Sequence, residues 1–187
     1  WEVVPRTWLR SGPHGSGMVQ LWQEQDPEQD PVDVVAASAV PTQGWRTVLE
    51  GSDENRRPVV VIHEDSAALR RMAVLDVLVN NADRKGGHVL PLPSGHRHGV
   101  DHGVTFHVQP KLRTVLWGWL GEPLDPDELA GVDRVRARLD DTLGEELSEL
   151  LSKAEIDALA SRCDDLARAG VFPAPGGGMP AVPWPLF

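Results

Sequence analysis

Between Asn80 and His88 the chain reads NNADRKGGH, which places an aspartate, an arginine, a lysine, two glycines and a histidine in one short stretch. Asp83 is followed by Lys85 two positions on and His88 five positions on, and Asp101 stands 101 − 83 = 18 positions after Asp83, in GVDHG. Carboxylates, a mobile cation and an imidazole are groups of the kind that move protons, hold metal ions or neutralise phosphate. They are also what a solvated turn is made of, and the segment alone leaves both readings open. A second cluster overlaps the first. HRHGVDH gathers His96, His98, Asp101 and His102, and on a strand His96 and His98 would share a face suited to a metal ion or simply to solvent.

Three elements must position these residues. Upstream, Leu69, Met72, Leu75 or Val79, with Leu78, recur at helical spacing and predict a helix from Ser66 to about Asn81, capped by Asp65 or Ser66. Arg70, Arg71 and Asp76 fall mostly off its apolar face. Asn80 and Asn81 stand where C-caps stand, though their side-chain oxygens could also reach a site. Downstream, HVLPL and HRHGV flank Pro-Ser-Gly and predict a hairpin that returns Asp101 toward Asp83.

Around this centre, WEVVPRTWLR and MVQLWQE read as strands joined by GPHGSG. That turn lacks the Gly-Lys-Ser/Thr ending of a phosphate loop, so a hairpin connection is the better reading. Residues 25–34 read as an acidic, Pro-punctuated linker. RPVVVIHED is either a buried strand or the lead into the helix. Residues 101–124 alternate apolar, polar and aromatic positions. Further helices are expected over Asp127–Leu139, Gly144–Leu151, and from the capping box Ser152/Glu155 to Ala169, with Gly170 at the C′ position. The tail 171–187 is too rich in Pro and Gly for regular structure and either packs through Trp184 and Phe187 or is loose.

The 187 residues suffice for one domain or slightly more. A net charge of −10 disfavours nucleic acid and anionic lipid surfaces as bulk electrostatic partners. No apolar run approaches the ~18 residues of a membrane span, and no signal peptide is visible. The single cysteine, Cys163, cannot form an internal disulfide. Together these lead to the expectation of a cytoplasmic protein with no integral membrane association.

The helix, loop, hairpin and second aspartate, in this order, resemble the catalytic core of the protein-kinase-like superfamily. There an Asp-x-Lys-x-x-Asn loop and a hairpin precede Asp-Phe-Gly, and DRKGGH and DHG match the Asp, Lys and Gly positions. The Asp-Arg opening is similar to the phosphatidylinositol 3-/4-kinase branch. GMVQLW, LDVLVNNADRKGGHVL, GVDHGVTFH and KLRTVLWGWLGEPL resemble an actinobacterial phosphatidylinositol-kinase-like family of unknown substrate, over most of residues 1–124. The resemblance implies an α+β, protein-kinase-like fold: residues 1–24 the end of the small lobe and the hinge, residues 25–187 the mostly helical large lobe. It implies an ATP-dependent phosphotransferase with Mg²⁺ or Mn²⁺. Asp83 would orient an acceptor hydroxyl and take its proton, Lys85 would neutralise the γ-phosphate, and Asp101 would bind metal. The glycines would let backbone approach substrate. Gln20, Leu21, Trp22 and Gln23 would form the hinge against adenine. His88 departs from the usual Asn, and metal ligation, a hydrogen bond to phosphate and bracing of the loop all stay open for it.

All three lysines, Lys85, Lys111 and Lys153, lie downstream of that hinge, so none can serve as the small-lobe lysine. Together with the non-Met start, this leads to the expectation that an N-terminal lobe is missing and that the fragment alone is inactive. The acceptor, whether protein, small molecule or lipid, is not legible. Two other readings compete. One is a pseudokinase-like module that binds a nucleotide or a partner. The other is a His-rich metallohydrolase, since HRHGVDH approaches the His-x-His-x-Asp-His of metallo-β-lactamase-like enzymes with one residue extra.

Overall fold

A computed structural model describes residues 1–176 and 178–187. Among the described residues the architecture is α+β, with four α-helices and three small antiparallel sheets. Strands β1 (Thr7–Gly12) and β2 (Gly15–Gln20) pair in register around Pro13-His14, with Gly15 in the positive-φ conformation that the tight connection requires. The expected hairpin therefore forms, although its first strand begins only at Thr7. It makes a sheet of its own and leaves Leu9, Met18 and Val19 exposed.

The second sheet is where the sequence reading was least definite. β3 (Val32–Ala36), β4 (Trp45–Ser52) and β5 (Pro58–Glu64) assemble in the order β3-β5-β4. The end of the supposed linker is thus a strand. RPVVVIHED supplies the central strand, and its run of β-branched residues is buried from Val60 to Ile62 because both edges are paired.

Helix α1 (Ala67–Val79) starts at Ser66, whose side chain accepts from the Leu69 amide, and ends at Asn80 in the left-handed conformation. Leu69, Met72, Val74 and Leu78 enter the core. β6 (Val89–Pro91) and β7 (Arg97–Gly99) form the predicted second hairpin. Residues 101–124 are irregular, but Val115, Leu116 and Trp119 from this stretch lie in the core. Three helices close the fold. α2 (Pro126–Leu139) begins with an Asp125/Glu128 capping box, α3 is Thr142–Ser148, and α4 (Lys153–Ala169) carries the predicted Ser152/Glu155 box and stops at Gly170. Cys163 is buried in α4, and burial pushes its thiol up to about 11. Among the described residues no helix is long and apolar enough to cross a membrane. In the tail, Trp184 is exposed rather than packed, whereas Pro183 is buried.

One ion pair joins these parts. Asp76, on α1, was expected off the buried face. It is instead fully buried, because Arg84 reaches it from the following loop with Nη2 at 2.9 Å and Nε at 3.0 and 3.2 Å. Arg84 Nη1 also donates to the Val100 carbonyl at the end of the second hairpin, at 2.9 Å. A Cβ on Gly99 would press on this guanidinium at 3.1–3.3 Å, so the bare backbone of glycine lets the hairpin come this close. On the other side of the core, His63 is buried against Trp119. Its Nδ1 meets the Glu64 carbonyl and its Nε2 accepts the Gly118 amide, which fixes a neutral tautomer. Desolvation holds its pKa at about 4.

Two outcomes follow. Arg84→Met strands Asp76 without its partner and is expected to destabilise the fold by about 3–5 kcal/mol, while adding Asp76→Leu recovers much of the loss. Urea denaturation of both variants checks this, and equal stabilities for single and double variants would count against the pair as the joint. Second, because His63 binds its proton less readily folded than unfolded, its contribution to stability is full above pH 6.5 and declines as pH falls toward about 4. Urea midpoints at pH 7.5 and 5 should differ less in His63→Gln than in the parent.

Candidate functional site

The loop after α1 folds as it does because nearly every polar group in it has a structural partner. Asn80 is a C-cap whose amide donates to the carbonyls of His107 and Gln109 and whose oxygen accepts the Lys111 amide. Asn81 donates to Asp76 and accepts the Asp83 amide at 3.0 Å. Both asparagines therefore brace the backbone. Behind them the residue 113–115 segment runs alongside: the Arg84 amide donates to the Arg113 carbonyl and the Val115 amide to the Arg84 carbonyl.

On this frame Asp83 and Lys85 come together. Asp83 Oδ2 lies 3.7 Å from Lys85 Nζ and Asp83 Oδ1 lies 3.5 Å from Arg113 Nη2. These are charge contacts longer than hydrogen bonds, so the half-buried carboxylate keeps its acceptor capacity. His88 and Asp101 also meet, with Nε2 to Oδ2 at 3.5 Å. Asp101 is 61% exposed and adopts a left-handed backbone at φ +55°, an uncommon conformation outside glycine that aspartate tolerates. His88 Nδ1 is buried without a partner.

The two pairs are coupled through Arg84. Asp83 immediately precedes it, and Asp101 immediately follows Val100, whose carbonyl it binds. His102 closes the arrangement, its Nε2 accepting from Arg84 Nη2 at 2.7 Å. Burial, reinforced by the Arg84 charge, pushes His102 down to about 4, so it is a neutral acceptor.

Other expected residues lie elsewhere or act otherwise. Gln20, Leu21, Trp22 and Gln23 make their hydrogen bonds locally, to Thr7, Arg6, Glu24 and Leu21 respectively, and Trp22 is 79% exposed. The chain rejoins the site region just beyond, where the Asp26 amide donates to the Pro91 carbonyl. His96 and His98 stack edge to face and reach the carbonyls of Glu2 and Val3. Among the described residues no three His, Cys, Asp or Glu are gathered as a metal cage. Gly86 does not present open backbone to a substrate, because the Phe187 ring lies where its Cβ would stand and its amide donates to the Leu186 carbonyl.

Sequence reasoning missed Asp76, Arg84 and Arg113 as parts of this arrangement. The available signal was Asp76 itself, a charge inside the otherwise apolar run VLDVLV, which a helix tolerates at a buried position only with a partner.

No family model matches the chain, and no solved structure matches it. Protein Rv2133c of Mycobacterium tuberculosis is 45% identical over 196 residues, a match that spans 100% of this chain and 70% of the relative. The chain belongs to the family of Protein Rv2133c.

Proposed function

We propose that the chain is the phosphoryl-transferring large lobe of a protein-kinase-like phosphotransferase that moves the γ-phosphate of ATP to a hydroxyl acceptor. The observation that supports this reading is the Arg84 tie: the residue that follows Asp83 is buried against Asp76 and donates to the carbonyl of Val100, the residue that precedes Asp101. Phosphoryl transfer calls for such a pair, one carboxylate at the attacking hydroxyl and another at the cation, held without reorganisation.

In this reading Asp83 accepts the proton of the acceptor hydroxyl and fixes its direction. Lys85 and Arg113 flank that carboxylate and supply positive charge for the transferring group. ATP with Mg²⁺ or Mn²⁺ would supply the phosphoryl group and the cation that offsets charge on the phosphates. The donor set fits such a cation. Exposed Asp101 offers hard oxygens, and a site with few protein ligands suits Mg²⁺, which keeps water and phosphate in its shell. His88 is better suited to orient Asp101 than to ligate: a metal-bound imidazole ordinarily donates its second nitrogen to an acceptor, and Nδ1 has none. In this reading His88 braces Asp101 and the loop where the resemblance would place an Asn.

The hinge role of Gln20–Gln23 belongs to this proposal and depends on an N-terminal lobe to complete the nucleotide site. The His-rich hydrolase finds no support in geometry that engages His96 and His98 with backbone carbonyls.

ATP turnover by the full-length protein, assayed against protein, small-molecule and phosphatidylinositol acceptors, tests the reading. Asp83→Asn should lower kcat by about 10²-fold or more while leaving ATP affinity nearly intact. Asp101→Ala should weaken Mg²⁺-dependent ATP binding, measured by calorimetry. ATP binding that is metal-independent and indifferent to Asp101→Ala would defeat the proposal, and binding without turnover would identify a pseudokinase-like module instead.

A further inference from the structure

Away from the Asp83 loop, a cavity of about 830 Å³ opens between the end of α1, residues 108–112, α4 and the start of the tail. Its volume is that of a small-molecule site. The walls are largely apolar, with Val77, Leu112, Leu166, Val171 and Met179 prominent. One face of α4 lines it through Ala158, Arg162, Asp165 and Ala169, spaced three to four residues apart.

The charges there are unusual for this protein. Every other lysine or arginine that is buried or half-buried among the described residues has a carboxylate within 4.0 Å. Arg162 and Lys111 have none, and both line this one cavity. Arg162 Nε caps α1 by donating to the Leu78 carbonyl at 2.7 Å, and Nη1 reaches the His107 carbonyl, but Nη2 is buried with no partner. Desolvation lowers the Arg162 pKa, as expected of a guanidinium held from water with no anion beside it. The one acid in the lining, Asp165, is engaged by Arg168 at 2.8 Å. In a chain of net charge −10, two unpaired cations at one apolar cavity form a local exception.

We propose that this cavity binds a small amphipathic carboxylate, its apolar chain against Val77, Leu112 and Leu166 and its anionic head between Arg162 and Lys111. A carboxylate supplies the missing counter-charge to both cations. The apolar walls exclude inorganic phosphate as a complete ligand, because it would leave them uncovered. The proposal is independent of the phosphotransferase reading.

Calorimetry with the 187-residue chain, using octanoate and its neutral analogue octanamide as probes, tests it. Octanoate should bind one site, and octanamide should bind at least about tenfold more weakly because it lacks the charge. Ala158→Phe puts an aromatic ring into the cavity beside Arg162 while leaving Arg162 to cap α1, and it should reduce octanoate affinity at least about tenfold with an unchanged circular dichroism spectrum. Lys111→Gln should weaken octanoate but not octanamide. Equal binding of the two probes would overturn the proposal. So would octanoate binding undiminished in folded Ala158→Phe, which would place the probe elsewhere, for example on the exposed β1–β2 hairpin.

Discussion

The buried pair Asp76–Arg84 is the constraint on which the candidate site depends. Two charges withdrawn from water are costly unless geometry and further hydrogen bonds compensate them. Here compensation recruits nearly everything nearby. Asp76 takes Asn81 and, at 3.5 Å, Thr114 in addition to the guanidinium, and Arg84 takes the Val100 carbonyl and His102. Satisfying one ion pair therefore fixes the exit of α1, the loop, the end of the second hairpin and the strand-like segment at Thr114. The neutral state of His102 follows from the same pair, since an imidazolium beside Arg84 would add a second buried cation.

This explains what the sequence did and did not disclose. Local signals were readable where the cause is local. Ser66, Ser152 with Glu155, and Gly170 mark helix ends through hydrogen bonds made within a few residues, and they fall where expected. The two hairpins are equally local. The three-stranded sheet was harder because β3 pairs with β5, not with its sequence neighbour, and nothing in the acidic stretch before Val32 announces a partner some thirty residues away. Residues 101–124 mislead for the opposite reason. Their apolar and aromatic residues are buried, but by an irregular backbone that hydrogen-bonds to α1, the loop and the tail rather than to a strand ladder.

The site shows the same division. Which residues stand close was legible in part, since the hairpin returns Asp101 toward the loop as its turn residues require. How they are held was not, because helical periodicity assigns Asp76 to the wrong face. Periodicity weighs apolar positions and is blind to a buried charge whose partner lies beyond the helix. Gly86 is a comparable case. Its glycine character was legible, but the reason for it, the Phe187 ring packed from the far end of the chain, is a tertiary fact.

The distribution of cations extends the argument to the molecule as a whole. Arg46, Arg70, Arg84 and Arg97 all lie partly or wholly inside the fold against Asp65, Glu128, Asp76 and Glu64. Arg70 also sits over the Trp119 and Phe172 rings, so its role is packing as well as charge. Positive charge is thus drawn inward as structural cement, together with the carboxylates that neutralise it. The acidic excess stays outside. Against that background, positive charge without a full complement of carboxylate is informative. Among the half-buried cations of the described residues it occurs where Lys85 and Arg113 share the single carboxylate of Asp83, and where Arg162 and Lys111 share none. Both places are suited to receive an anion, and the second differs from the first in having apolar walls to receive the rest of the molecule.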